Sequence, residues 1–155
     1  MRKRFALVIC TIALCSFSFA QKAAKKAGAA GVDRAYMQEI WDGWGKLDAA
    51  HQAQYYAKGE HTFFDIAPLR YSSWDEYQSG VSKELGDYKA ATFLVNDDVQ
   101  SHNAGDVVWG SATVKYDMTT KADKHEMGTM RWTYVFGKQD GKWVLLHEHV
   151  SVPMQ

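Results

Sequence analysis

Residues 126–152, EMGTMRWTYVFGKQDGKWVLLHEHVSV, read as two long strands folded back on each other. Trp132, Tyr134 and Phe136 alternate with Arg131, Thr133 and Val135, the two-residue period of a strand with distinct faces. Gly137 to Gly141 holds an Asp-Gly pair, the chemistry of a tight reversal. Lys142 to Val152 continues as the last strand, and Pro153 closes it. Immediately upstream, Val107 to Met118 alternates and is rich in Val, Thr and aromatic residues. Tyr88 to Gln100 is one further long run, followed by an Asn103-Ala104-Gly105-Asp106 turn. Four long strands joined by short turns are antiparallel neighbours.

The segment before these strands carries a helical period. Met37, Ile40, Trp44 and Leu47 recur at three- and four-residue spacing behind Asp33, a good N-cap. Gly43 and Gly45 weaken that helix by about 1 kcal/mol each relative to Ala, so packing of the Trp41/Trp44 side must compensate or the helix bends. Asp48 starts a shorter helix through Tyr55 and Tyr56 that ends near Gly59. His61 to Ile66 is a short strand stopped by Pro68. Ser73 and Glu76 form a capping box for a helix with the stripe Trp74, Tyr77, Val81 and Leu85, closed by Gly86. Helices segregated ahead of an antiparallel sheet define an α+β fold. Three helices are expected to cover the concave face of a curved sheet of four long strands plus a short one.

Of 155 residues, 46% are hydrophobic and 14% aromatic, enough for one well-filled core. The start, Met1-Arg2-Lys3-Arg4, is basic, Phe5–Phe17 is apolar but too short to span a bilayer, and Ser18-Phe19-Ala20 supplies small residues. Residues 1–20 therefore read as a signal peptide cleaved after Ala20, which implies an exported protein, periplasmic or extracellular, with no membrane attachment after cleavage. Residues 21–31, QKAAKKAGAAG, read as a flexible leader, and 32–155 as a single domain. Cys10 and Cys15 both fall within residues 1–20, so neither a disulfide framework nor a thiolate metal site supports the domain. Beyond residue 20 there remain 15 basic against 18 acidic residues, a formal charge of −3, which argues against a nucleic-acid binder.

Three blocks carry a family resemblance: Arg131-x-Thr133-x-Val135-Phe136, Asp140-Gly141-Lys142-Trp143, and His147-Glu148-His149-Val150-Ser151-Val152-Pro153. With three helices ahead of them, they resemble the SnoaL-like branch of the nuclear transport factor 2-like superfamily. The last two blocks are also similar to the association domain of calcium/calmodulin-dependent kinase II, a member of that superfamily. The resemblance implies a cone-shaped α+β barrel with a pocket at its open end. Members include polyketide cyclases, dehydratases, steroid isomerases and epoxide hydrolases, and others that only bind or assemble, so the fold alone does not fix an activity. The kinase domain has an arginine where this chain has Tyr134, so its anion-binding role does not carry over.

Several side chains are candidates for a ligand pocket. Asp65 lies between Phe63-Phe64 and Ile66, where apolar company suits a general base, or else it is a turn residue before Pro68. His147 and His149, two apart on a strand, point to one face. They line a pocket or bond to neighbours at the sheet's end, and a metal site would need a third ligand such as Asp65 or His125. Arg131 either points into the cone or lies on the outer strand face, and Tyr134 takes the opposite face. Tyr56, Trp74 and Trp109 serve as pocket wall or as core. No metal and no cofactor is expected, since no phosphate loop, nucleophile elbow or mature cysteine is present. Trp143 and Leu145 alternate with Val144, Leu146 and Val150, which puts apolar residues on both faces of the last strand. That pattern predicts a homodimer through the convex sheet face. Three functions fit: a small-molecule binder, an isomerase, cyclase, dehydratase or hydrolase using a pocket acid–base group, or an assembly module without ligand.

Overall fold

The computed structural model describes residues 31–154; the signal-peptide reading and nearly all of the leader lie outside them. Helix α1 spans Arg34–Trp44, and Asp33 caps it by accepting from the Tyr36 N–H at 2.9 Å. Its buried side is Met37, Ile40, Trp41 and Trp44. The expected second helix is a 3-10 helix, Ala49–Gln54, capped by Asp48. The break comes at Leu47, which adopts φ 59° and turns the chain before the apolar stripe is complete. Gly43 has a specific use. A Cβ there would lie 2.4 Å from Gln52 Nε2, and the buried Gln52 uses that space to donate to the Ile40 carbonyl at 3.0 Å. Helix α2 spans Trp74–Leu85 and buries Trp74, Tyr77, Val81 and Leu85, the predicted stripe. Ser73 accepts from the Glu76 N–H at 3.2 Å, while Glu76 reaches back to the Ser72 N–H at 2.8 Å.

The strands are β1 (Glu60–Phe64), β2 (Tyr71–Ser73), β3 (Tyr88–Val95), β4 (Gln100–Ala104), β5 (Val107–Thr120), β6 (His125–Gln139) and β7 (Lys142–Ser151). They form one seven-stranded sheet in the order β2-β1-β7-β6-β5-β3, with β4 also on β5. The expected all-antiparallel sheet is a mixed one, because β1 runs parallel to β7, with Phe63 opposite Glu148 and Phe64 opposite His149. Strand β2, too short to carry a pattern of its own, caps that edge.

Two irregularities shape the sheet. The run expected from Tyr88 to Gln100 is β3 and β4 on the same neighbour, interrupted by four residues, 96–99, standing opposite two, 112–113. This bulge is pinned. Asp98 accepts from the Thr113 N–H at 2.9 Å and its hydroxyl at 2.7 Å, and Asn96 donates to the same hydroxyl at 2.7 Å. From α1, Arg34 donates to the Val95 carbonyl and Gln38 brackets the strand through the Phe93 carbonyl and the Val95 N–H. The second irregularity lies in β7. Val135 pairs with His147 but Phe136 pairs with Leu145, which leaves Leu146 extra. One extra residue exchanges inside for outside. Leu145 therefore shares the inner face with Glu148 and Val150, all at most 2% exposed. The bulge thus brings Val150 to the face of Trp143 and Leu145, while Val144 and Leu146 keep the other face apolar, with Leu146 lying over Gly137.

Candidate functional site

Between α1, α2 and the inner face of β3, β5 and β6 lies a cavity of about 580 Å³. Its walls are aromatic and aliphatic, with Trp41, Trp44, Tyr77, Phe93, Tyr116 and Met130 prominent. Tyr116 and Met118 alternate with outward Lys115 and Asp117, so the strand period itself delivers the apolar lining. Four carboxylates also line it: Asp65, Glu84, Asp87 and Glu126. Among the described residues, no Lys, Arg or His lines it. Glu126 is already engaged, accepting from Tyr88 at 2.9 Å and from the Lys124 ammonium at 2.6 Å.

Asp65 follows β1 and has two donors. Tyr77, one turn into α2, donates to Oδ2 at 3.0 Å, and the Ile66 N–H donates to Oδ1 at 2.7 Å. Burial nevertheless raises its carboxyl above the ordinary range, against the pull of both bonds. Glu84, next to Tyr71, is raised as well, by burial and then by the charge of Asp65.

A second carboxylate lies deeper. Glu148 is 1% exposed. The Tyr56 hydroxyl donates to Oε1 at 2.7 Å and the Trp132 indole donates to Oε2 at 2.8 Å. Tyr56 in turn accepts from the Trp44 indole at 3.1 Å. Among the described residues no cation takes part, and burial pushes the Glu148 carboxyl up to about 7 although Tyr56, Trp132 and Tyr77 all favour its charged form. Asp65 adds to the rise by charge repulsion. The Tyr56 and Tyr77 hydroxyls, fully buried beside these carboxylates, are pushed well above their usual value and stay protonated.

The sequence candidates divide. Asp65 lines the cavity. Tyr56 and Trp74 are core, each 1% exposed, stacked at 4.5 Å beside Tyr77. Tyr134 is also core; its hydroxyl lies 2.7 Å from Ser101 Oγ and donates to the Gln100 carbonyl at 3.2 Å. Trp109, Arg131, His147 and His149 lie on the far side of the sheet from the cavity. Trp109, 44% exposed, stacks on His102. Arg131 is exposed because Trp132, Tyr134 and Phe136 take the inner positions. The β7 bulge turns both histidines outward, where the ring of Phe64 meets each edge-on at 5.5 and 5.7 Å. His147 Nδ1 lies 2.7 Å from the Thr62 carbonyl, so Nδ1 carries the proton. Among the described residues no three His, Cys, Asp or Glu side chains come together as a metal group. Tyr77, Glu84 and Glu148 escaped the sequence reading. The only signal for Glu148 was the Leu145-Leu146 doublet before it, where the bulge inserts one residue into the alternation.

The family model of the SnoaL-like domain matches residues 34–155. A search among curated proteins finds no match. Solved structures share the fold at low identity. A nuclear transport factor 2-like superfamily protein from Salmonella enterica is 15% identical, with a TM-score of 0.68 over 79% of this chain and 92% of that one. A candidate calcium/calmodulin-dependent protein kinase II association domain from Xanthomonas campestris is 17% identical, with a TM-score of 0.69 over 83% and 94%. A candidate dehydratase of the same superfamily from Streptomyces avermitilis is 13% identical, with a TM-score of 0.68 over 81% and 99%. The expected α+β fold is therefore present, with three helices and seven strands among the described residues; it is the fold of nuclear transport factor 2-like proteins, and the chain belongs to the SnoaL-like domain family.

Proposed function

We propose that the cavity binds a small, largely apolar molecule that carries no negative charge. One observation carries this reading: an aromatic-walled space of about 580 Å³ whose charged lining groups, among the described residues, are all carboxylates. An anion entering it would meet repulsion in a poorly solvated site, whereas a neutral or cationic ring system would meet aromatic faces and hydrogen-bond acceptors. Thermal shift with matched neutral, amine and carboxylate versions of bicyclic and tricyclic compounds tests it. Stabilisation by neutral or amine members is expected. Stabilisation confined to the carboxylates, or none across the set, overturns it.

A catalytic version has its own support in the Asp65–Tyr77 pair. A carboxyl of raised proton affinity at an apolar cavity suits proton abstraction or return, and the tyrosine hydroxyl holds it in place. Isomerisation and dehydration are the reaction classes that such a group serves, and a dehydratase assignment accompanies the Streptomyces neighbour. Asp65→Asn abolishes turnover while leaving binding of the same compound within a few-fold if this version holds. Export and pairing of two copies through the outer sheet face are parts of the same proposal. Residues 1–20 support the first, and exposed Leu94, Trp109 and Met127 support the second. The mass of the secreted chain and sedimentation of the purified protein test them.

A further inference from the structure

Glu148 is the one fully buried carboxylate among the described residues, and the proton step just proposed at Asp65 makes no use of it. The groups facing it come from every element around it. Tyr56 follows the 3-10 helix, Trp132 is on β6, Tyr77 is on α2, and Asp65 follows β1, with Trp44 of α1 behind Tyr56. None of them is basic. Glu84 joins the same field through Asp65.

Tyr77 is the joint. Its hydroxyl donates to Asp65 Oδ2 at 3.0 Å, and its ring meets edge-on, at 5.6 Å, that of Tyr56, the donor to Glu148, which brings it within the electrostatic reach of Glu148. A phenol has one proton to give and lone pairs to accept with. When both carboxyls are charged, two acceptors compete for that one proton. When Glu148 is protonated, its O–H can donate to the Tyr77 oxygen while Tyr77 donates to Asp65, and every group in the row is satisfied.

We propose that Glu148 is a positioning residue that acts through Tyr77 on Asp65, so that the charge state of the buried glutamate sets how strongly the cavity aspartate holds its proton. Protonated Glu148 steadies the Asp65 anion, and ionised Glu148 makes Asp65 a stronger base. Asp65 and Glu148 thus titrate as a coupled pair, and the cavity end of the row becomes a better proton acceptor as pH rises through neutrality. The inference builds on the role given to Asp65, but its test needs no ligand.

The carboxyl carbons of Asp65 and Glu148 are followed by carbon-13 NMR against pH in the full chain, with Glu148→Gln, Tyr77→Phe and the double variant. In the unsubstituted chain Asp65 should show two steps, the second coinciding with titration of Glu148. Glu148→Gln should leave one step, at the pH of the first step in the unsubstituted chain, because the amide is neutral as protonated Glu148 is. Tyr77→Phe should remove the second step while raising the first, since the donor to Asp65 is gone. In the double variant, Glu148→Gln should add nothing to Tyr77→Phe. If Glu148→Gln does not fold, the Tyr77→Phe curve alone decides. A single-step Asp65 curve in the unsubstituted chain, or identical Asp65 curves with and without Glu148, overturns the proposal. Those outcomes leave the ligand reading of the cavity standing, and a failed ligand panel leaves the coupling intact.

Discussion

His147 and His149 face one way from β7 and Glu148 the other, and the three residues are consecutive. The outer pair has ordinary surface company: a phenylalanine edge, a carbonyl and solvent. The inner residue accepts from one phenol and one indole, with Trp44 behind the phenol and, among the described residues, no cation, and there its proton affinity rises. Residue type drew attention to the histidines. Environment gives the glutamate its chemistry. The difference is set by the pleat and by one extra residue, Leu146, rather than by anything intrinsic to the side chains.

The contrast between the two faces is broken most severely at Trp132. Trp132→Ala empties an inner position and strips Glu148 of a donor, at an expected cost of about 3–5 kcal/mol in denaturant titration. Next comes the pH dependence of stability. In the fold Glu148 keeps its proton to about pH 7, against 4.5 in an open chain. Stability from that proton is full below pH 4.5 and is lost as pH rises through about 7, on the order of 3 kcal/mol in all. Glu148→Gln should remove most of this slope, leaving the part due to Asp65 and Glu84, and denaturation midpoints across that range measure it. Tyr56→Phe should cost about 1–3 kcal/mol and move the Glu148 titration further up, since it deletes a bond to the charged form. At the small end, Arg131→Ala and His149→Ala on the outer face should change stability by no more than about 0.5 kcal/mol. A large loss at either would show that the outer face is not the passive side.

Much of the scaffold was legible because its signals are local. The α2 stripe, the caps at Asp33 and Ser73, and the alternation of Trp132, Tyr134 and Phe136 with Arg131, Thr133 and Val135 depend on spacing alone, though which of those two sets faces inward does not. What stayed hidden depends on pairing between distant residues. The parallel contact of β1 with β7 leaves no mark in either strand, and the four-against-two bulge at 96–99 resembles a continuous run until Thr113 is placed opposite Asp98. The site was half visible. Asp65 stood out by its apolar neighbours. Tyr77 looked like any core residue of a helix stripe, and Glu148 was masked by a parity change that no count of alternating residues exposes.

The place of β1 in the sheet also governs the order in which the fold can close. Its in-sheet neighbours are β2, three residues long, and β7, at positions 142–151. A growing chain can pair β3 through β6 as each emerges, but β1 waits, with only the short β2 beside it and its other edge unpaired, until residues 142–151 have left the ribosome. Asp65 and Tyr56, which flank β1, and Glu148, on the strand that receives it, come together only at that step. Synthesis halted before residue 142 therefore yields a strand edge in search of a partner and no proton row. The part of the molecule richest in chemistry is the last to be assembled.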